Sequence, residues 1–204
     1  MNKFPLISLA AAALLALASL DAGAAQWDGV AQRQGAPVTL AELQQTHWIA
    51  DGRDDAPRKV YVFLDANCIY CAKFWADARP WVDSGKVQLR YLMVAVIAPT
   101  SAGKAATLLA DPDPAKRLTA YERSHAFGVA RMMQGGPHAS MEDASLVPTA
   151  VSVDVARFLE ANEGFMNALK LRGTPGLVFQ GSDGRLVALG GMPGEGLQSI
   201  FGPR

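Results

Sequence analysis

The chain has 204 residues, half of them apolar, and its nineteen basic and nineteen acidic side chains cancel. That balance argues against nucleic acid or an anionic membrane surface as the main partner. About 180 residues beyond an N-terminal leader are enough for one well-cored domain with a short appendage.

The leader comes first. Lys3 supplies a positive start, Phe4 to Leu20 form an apolar run broken only by Pro5, Ser8 and Ser19, and Ala22-Gly23-Ala24-Ala25 fits a small-residue cleavage site. Residues 1–24 therefore read as a secretory signal peptide, cleaved after Ala24 or Ala25, in preference to an uncleaved anchor. No cysteine follows the run to carry a lipid. Export would place the mature chain in an oxidising space, where exposed thiol pairs become disulfides unless something reduces them.

Residues 25–57 form an arm in which Thr39-Leu40-Ala41-Glu42 matches a capping box and predicts a short helix through Gln45. The turn-forming stretch Asp51 to Pro57 marks a boundary, so the main domain is expected over 58–204. From there the pattern predicts a strand over 59–65, a helix over 69–84 kinked at Pro80 and ended at Ser84-Gly85, and a strand over 87–97. A helix between two apolar strands is a βαβ unit with a right-handed crossover. Residues 100–171 read as mostly helical, punctuated by Asp111-Pro112-Asp113-Pro114 and Gly135-Gly136-Pro137. After Gly173-Thr174-Pro175-Gly176, two short strands over 177–180 and 186–189 are joined by Ser182-Asp183-Gly184, a hairpin signal. A last helix is expected over 194–201.

The only two cysteines, Cys68 and Cys71, stand as Cys-Ile-Tyr-Cys between the first strand and its helix. Two thiols at that spacing can cycle between dithiol and disulfide within one turn. Cys71, Phe74, Trp75, Ala78, Trp81 and Val82 follow the spacing of one helix face, so Cys71 leads a buried stripe. Cys68 precedes the first turn. It is expected to be the exposed nucleophile, and Cys71 the sheltered resolving thiol. Unpaired N–H groups and the positive end of the helix dipole favour an anion at Cys68, worth about one pKa unit, so direct hydrogen bonds must supply any further depression.

Other readings of the pair fare less well. A structural disulfide closing so small a loop removes little chain entropy. Zinc would need more ligands than the pair, and the chain offers His47, His125 and His138 but no second cysteine pair. A copper site could draw on Met132, Met133 and His138, but methionines at helical spacing more often fill a core. The histidines read as surface or packing residues, since thiol exchange needs no histidine base. Thr174-Pro175 is a weak signal by itself; downstream of the cysteine motif, a cis proline there could lie against the pair and present backbone to an incoming peptide.

Several segments carry a family resemblance: Lys59-Val60-Tyr61-Val62-Phe63, Cys68-x-Tyr70-Cys71, Phe74-Trp75 and the long run from Ala78 to Arg90. With His47-Trp48-Ile49-x-Asp51-Gly52, Asp113-Pro114-Ala115-Lys116, Thr174-Pro175 and Gly191-Met192-Pro193, the chain over about residues 46–204 resembles the catalytic domain of the periplasmic thiol:disulfide interchange proteins of the DsbC and DsbG family, DsbG most closely. The resemblance implies an α/β thioredoxin-like fold, with a helical insertion between the βαβ unit and the cis-Pro and β-hairpin half. It also implies an attacking Cys68, a resolving Cys71, and substrate contact through Thr174 and Pro175, flanked by Ile69 and Tyr70. No metal or organic cofactor is implied. The implied partners are exported proteins with disulfides or oxidised cysteines, and a DsbD-type membrane reductase that returns the pair to the dithiol.

Two departures stand out. The family's usual dipeptide between the cysteines is Pro-Tyr, whereas Ile69-Tyr70 stands here; without the proline one backbone N–H is freed and φ is looser, so potential and thiolate pKa are open to change. The arm is also too short to build the family's N-terminal dimerisation domain, so a monomer is expected. A thioredoxin would bury an acid six positions ahead of the first cysteine, and that position is Val62. Proton transfer at Cys71 must then use water or another group, such as Asp65. The expected function is thiol–disulfide exchange in the periplasm by an enzyme of the reductase or isomerase type, with a thiol-based metallochaperone, an oxidase-direction enzyme and a non-catalytic peptide-binding module as alternatives.

Overall fold

The computed structural model describes residues 37–136, 145–193 and 196–204. The expected signal peptide and His138 lie outside them. Five strands form one sheet in the order β1-β3-β2-β4-β5, with β1 at Ile49–Asp51, β2 at Arg58–Leu64, β3 at Val87–Met93, β4 at Gly176–Gln180 and β5 at Leu186–Gly190. The parallel β2–β3 pair runs in register from Arg58 opposite Val87 to Leu64 opposite Met93. Between them lies α2, Ile69–Val82, so the βαβ unit is present. β4 pairs antiparallel with β2, placing Leu177 beside Val62, and β5 completes the hairpin.

Strand β2 shows why the sheet has two unlike faces. Its period of two sends Val60, Val62 and Leu64 into one apolar cluster and Tyr61 and Phe63 into the other. The first cluster is covered by α2, by α3 at Ser101–Leu109 and by α4 at Pro114–Met133, with Val155 and Leu159 from the start of α5, Val153–Ala168. The second takes Leu43 from α1, Leu40–Gln44, and Phe165 and Met166 from the end of α5. The insertion α3–α5 is helical as expected and starts its last two helices on side-chain caps. Asp113 accepts the Lys116 N–H at 3.0 Å, and Ser152 that of Val155 at 3.3 Å.

Some boundaries differ from the sequence expectation. Strand β3 stops at Met93 rather than at residue 97, because the N–H groups of Val96 and Ile97 turn away from the sheet onto the Asp65 carboxylate, at 2.7 and 2.9 Å. The expected helix over 194–201 is a single turn, α6, Gln198–Phe201, with Gly194 and Glu195 outside the described residues. Pro80 sits inside α2, which ends two residues later. The sheet itself starts before Arg58. β1 pairs with β3, Ile49 facing Tyr91, and leaves it through Gly52, whose φ of +105° and close approach to the Val87 carbonyl oxygen, 2.7 Å from where a Cβ would stand, admit no side chain. Three residues are too short a run to show a period in sequence.

The far end of α2 is anchored to this edge. Arg79 pairs with Asp51 through both guanidinium nitrogens, one at 3.1 Å, and lies 4.3 Å above the Trp75 ring. Trp81 donates to the Gly202 carbonyl at 2.8 Å. These contacts fix the helix axis and leave its N-terminal end at the C-terminal edge of β2.

Candidate active site

Strand β2 delivers Asp65-Ala66-Asn67-Cys68 into a turn closed by the Cys68 N–H on the Asp65 carbonyl at 2.9 Å. Cys68 is the N-cap of α2, and its sulfur accepts the Cys71 N–H at 3.3 Å. The sulfur thus does what a Ser or Asp oxygen does at other helix starts, taking up a backbone donor that would otherwise go unpaired. Across the chain, the Cys68 thiol donates to the Thr174 carbonyl oxygen at 3.2 Å, beside the cis Thr174–Pro175 bond.

Both cysteines carry free thiols, and their surroundings push them apart. The Cys68 thiol falls from an ordinary 9.0 to about 7, chiefly through the hydrogen bond from Cys71, against the opposing effect of burial. The Thr174 side chain and the backbone N–H groups of Cys71 and Tyr70 add to the depression. The Thr174 hydroxyl is buried and has no partner while Cys68 keeps its proton, so it is available to donate once the sulfur is an anion. Burial pushes the Cys71 thiol well up, and its contact with Cys68 and the charges of Cys68 and Glu122 raise it further.

Contrary to the sequence expectation, Cys68 is not exposed: it is 4% accessible, against 0% for Cys71. Cys68, Ile69 and Thr174 line a cleft of about 480 Å³. Val96, Ile97 and Met166 give one side an apolar surface, while Glu163, Asn167 and Arg172 supply polar groups. Tyr70, 58% exposed, stands at its mouth. The structure therefore brings together Cys68, Cys71, Ile69, Tyr70, Thr174 and Pro175.

The other candidates disperse. His47 stacks on Phe158 at 4.4 Å, His125 is buried beside Tyr121, and Met133 is exposed. Among the described residues no three His, Cys, Asp or Glu side chains are grouped to hold a metal ion, and no helix is long and apolar enough to cross a membrane. Asp65 is no relay. Its carboxylate accepts the N–H groups of Asn67, Val96 and Ile97 and the Ser101 hydroxyl, a structural knot holding the loop after β3 against the cysteine turn.

Sequence reasoning missed the residues behind the sulfurs. Asn67 is fully buried, donates to Thr100 and Ser101 at 3.1 and 2.9 Å, and accepts from Lys104 Nζ at 2.8 Å. Lys104 and Glu122 are themselves buried. Both left a trace. Lys104 is the single charge in the apolar run 101–109, and Glu122 falls inside the stripe Leu118, Tyr121, His125, Ala126, Val129 that α4 buries.

With this geometry in hand, the chain is placed among known proteins. The family model of the thioredoxin-like domain matches residues 49–202, and the chain belongs to that family. Within it the chain is DsbG-like. It is 40% identical over 164 residues to thiol:disulfide interchange protein DsbG of Pseudomonas aeruginosa, covering 80% of this chain and 58% of the relative. It is 41% identical over 159 residues to that of Escherichia coli, covering 78% and 58%. The chain spans less than two thirds of the length of these relatives. Among solved structures, a disulfide interchange protein from Neisseria gonorrhoeae is 25% identical, with a TM-score of 0.52 over 76% of this chain and 92% of that one. ScsC of Proteus mirabilis in a compact conformation shares the fold at a TM-score of 0.59 and 19% identity, over 87% and 85%.

Proposed function

We propose that the chain is a periplasmic thiol–disulfide oxidoreductase acting on exported proteins. The observation that supports it best is the inequality of two sulfurs one helical turn apart. Cys68, capping α2 and lining a cleft, ionises near neutral pH at about 7, while burial keeps Cys71 protonated. The thiolate is the attacking species in exchange, so Cys68 is the nucleophile and Cys71 the resolving thiol. In the reductive direction Cys68 attacks a substrate disulfide and expels one substrate thiolate, or attacks a sulfenic acid and expels hydroxide. Either route leaves a mixed disulfide. Cys71 then attacks Cys68, releases the substrate sulfur bound to it as thiolate and leaves the Cys68–Cys71 disulfide, which a DsbD-type membrane reductase returns to the dithiol. Ile69, Tyr70, Thr174 and Pro175 line the approach for substrate, and the chain works as a monomer.

The test is turnover of a model disulfide by the Cys68 and Cys71 variants. Cys68→Ser is expected to abolish it, and Cys71→Ser to accumulate mixed disulfides visible by mass. Exchange at the native rate by the Cys68→Ser protein would sink the assignment. Equilibration in glutathione buffers then fixes the direction, each tenfold change in the equilibrium being about 30 mV for this two-electron couple.

A further inference from the structure

We propose that Arg172 selects the substrates of Cys68, favouring polypeptide segments that carry an apolar side chain next to the reacting cysteine and a carboxylate beside it. The inference deepens the exchange reading above and rests on it. Two kinds of lining meet in the cleft that Cys68 shares with Arg172. One is apolar and open to solvent: Val96 and Ile97 are 47% and 39% exposed, and Tyr70 adds its ring from between the cysteines. This wall is also fixed. The N–H groups of Val96 and Ile97 are held on Asp65 Oδ2 at 2.7 and 2.9 Å, and that of Ala95 on Glu163 Oε1 at 3.0 Å. Side chains on a backbone tied down at three successive residues meet a partner at little further cost in entropy. Large apolar side chains exposed together and rimmed by polar groups mark an interaction site.

The second lining is charged, and its two members differ. Glu163 is half-buried and committed to the fold through its bond to Ala95. Arg172 is exposed and has no hydrogen-bond or ion-pair partner among the described residues. Its guanidinium is always charged and presents its donors as a fork that fits a carboxylate.

Arg172 is held in place as firmly as the apolar wall. Buried Leu171 donates its N–H to the Met166 carbonyl at 3.0 Å, and the Pro175 carbonyl accepts the Gly191 N–H at 2.7 Å. Arg172 stands two residues from Thr174, so their Cα atoms are within about 7 Å. The Thr174 carbonyl oxygen in turn lies 3.2 Å from the Cys68 sulfur. Gly173 keeps the space between them open, with no heavy atom beyond its chain neighbours within 4 Å of where a Cβ would stand. A peptide whose cysteine reaches Cys68 therefore brings the residues next to it against an apolar wall and a free guanidinium. A carboxylate there gains a charge-assisted pair, and an ammonium meets repulsion.

Three blocked pentapeptides test this, each with a central cysteine between two valines and with glutamate, glutamine or lysine at both ends. Each cysteine is activated as a neutral pyridyl disulfide. Attack by the Cys68 thiolate on the peptide sulfur expels pyridine thiolate, the better leaving group, which takes up a proton and is read by its absorbance as the thione. At low salt the native full chain should react about fivefold faster with the glutamate peptide than with the lysine peptide, the scale of one exposed ion pair. Salt at about 1 M should erase most of that ratio. Arg172→Gln should bring the ratio to about one or below, since Glu163 is then the charge that remains, while the glutamine peptide keeps its native rate within about twofold. Arg172→Lys should recover most of the ratio. The pH midpoint for alkylation of Cys68 by neutral iodoacetamide should be the same in all three chains, because Arg172 acts on the substrate and not on the thiolate. Serine in place of both valines should slow all three chains alike, by about fivefold. A glutamate-to-lysine ratio unchanged in Arg172→Gln would overturn the proposal, as would a ratio that falls only together with a moved alkylation midpoint. Serine peptides that react as fast as the valine ones would overturn its apolar half. No release from the glutamine peptide by the native chain would instead overturn the exchange reading itself.

Discussion

On one face of the sheet Tyr61, Phe63, Leu92 and Val178 meet Leu43, Phe165, Met166 and Leu171 in a buried apolar layer, with Arg90 at its margin on the Tyr61 hydroxyl at 2.6 Å. On the other, Val60, Val62, Leu64 and Leu89 lie in the cluster that holds Cys68 and Cys71, and Asn67, Lys104, Glu122 and His125 are buried with it. The same strands supply both layers, so the difference comes from what packs on them. The apolar face buries mostly hydrocarbon and holds the sheet together. The face under α2 and α4 carries the penalty of buried polar groups, and in return its low dielectric lets a charge act on a sulfur without screening by water. Stability and reactivity are thereby housed on opposite sides of one sheet.

The comparison can be broken most severely on the apolar side. Phe63→Ala should cost about 3–5 kcal/mol in denaturant unfolding, while the pH midpoint for alkylation of Cys68 in the folded protein stays at about 7. A midpoint that moved with this substitution would show the two faces to be coupled.

The next effect lies on the reactive side. Cys71→Ala removes the largest cause of the Cys68 depression, so the alkylation midpoint should climb from about 7 towards 9.0. Stability follows with a definite sign. A thiol whose pKa is lower in the fold contributes stability that is present above its unfolded value, near 9.0, and lost as pH falls through about 7. Reduced native protein should gain about 2–3 kcal/mol over that window from this group, and Cys71→Ala should flatten the rise.

The smallest effect is expected between the cysteines. The N–H groups that reach the Cys68 sulfur are those of Tyr70 and Cys71, and Ile69 occupies the first helical position, where proline is tolerated. Ile69→Pro should therefore shift the Cys68 midpoint by less than about half a unit and change unfolding by less than about 1 kcal/mol. A larger shift would mean that the dipeptide acts through the shape of the turn.

Most of the fold was legible because its signals are local. The apolar run 59–64, the stripe from Cys71 to Val82, the Thr39 capping box and the Ser182-Asp183-Gly184 turn each declare themselves within a few residues. The end of β3 was not, since Val96 and Ile97 look like strand and leave the sheet only because Asp65, some thirty residues earlier, takes their N–H groups at 2.7 and 2.9 Å. For the same reason Asp65 looked like a free acid in sequence and is a structural clamp in the fold.

The sequence by itself determined that two thiols stand at the start of a helix, unequal because one precedes the first turn and the other heads its buried stripe. Helical periodicity and the unpaired N–H groups of a first turn are properties of neighbouring residues, so no folding was needed to see them. The tertiary structure alone decided how deeply Cys68 is sunk, that Thr174 meets it from 106 residues away, and that Lys104 and Glu122 are buried behind the pair. Those outcomes depend on which helix packs across which. A charged residue inside an apolar stripe announces that it is buried, but its neighbours are known only once the chain has closed on itself.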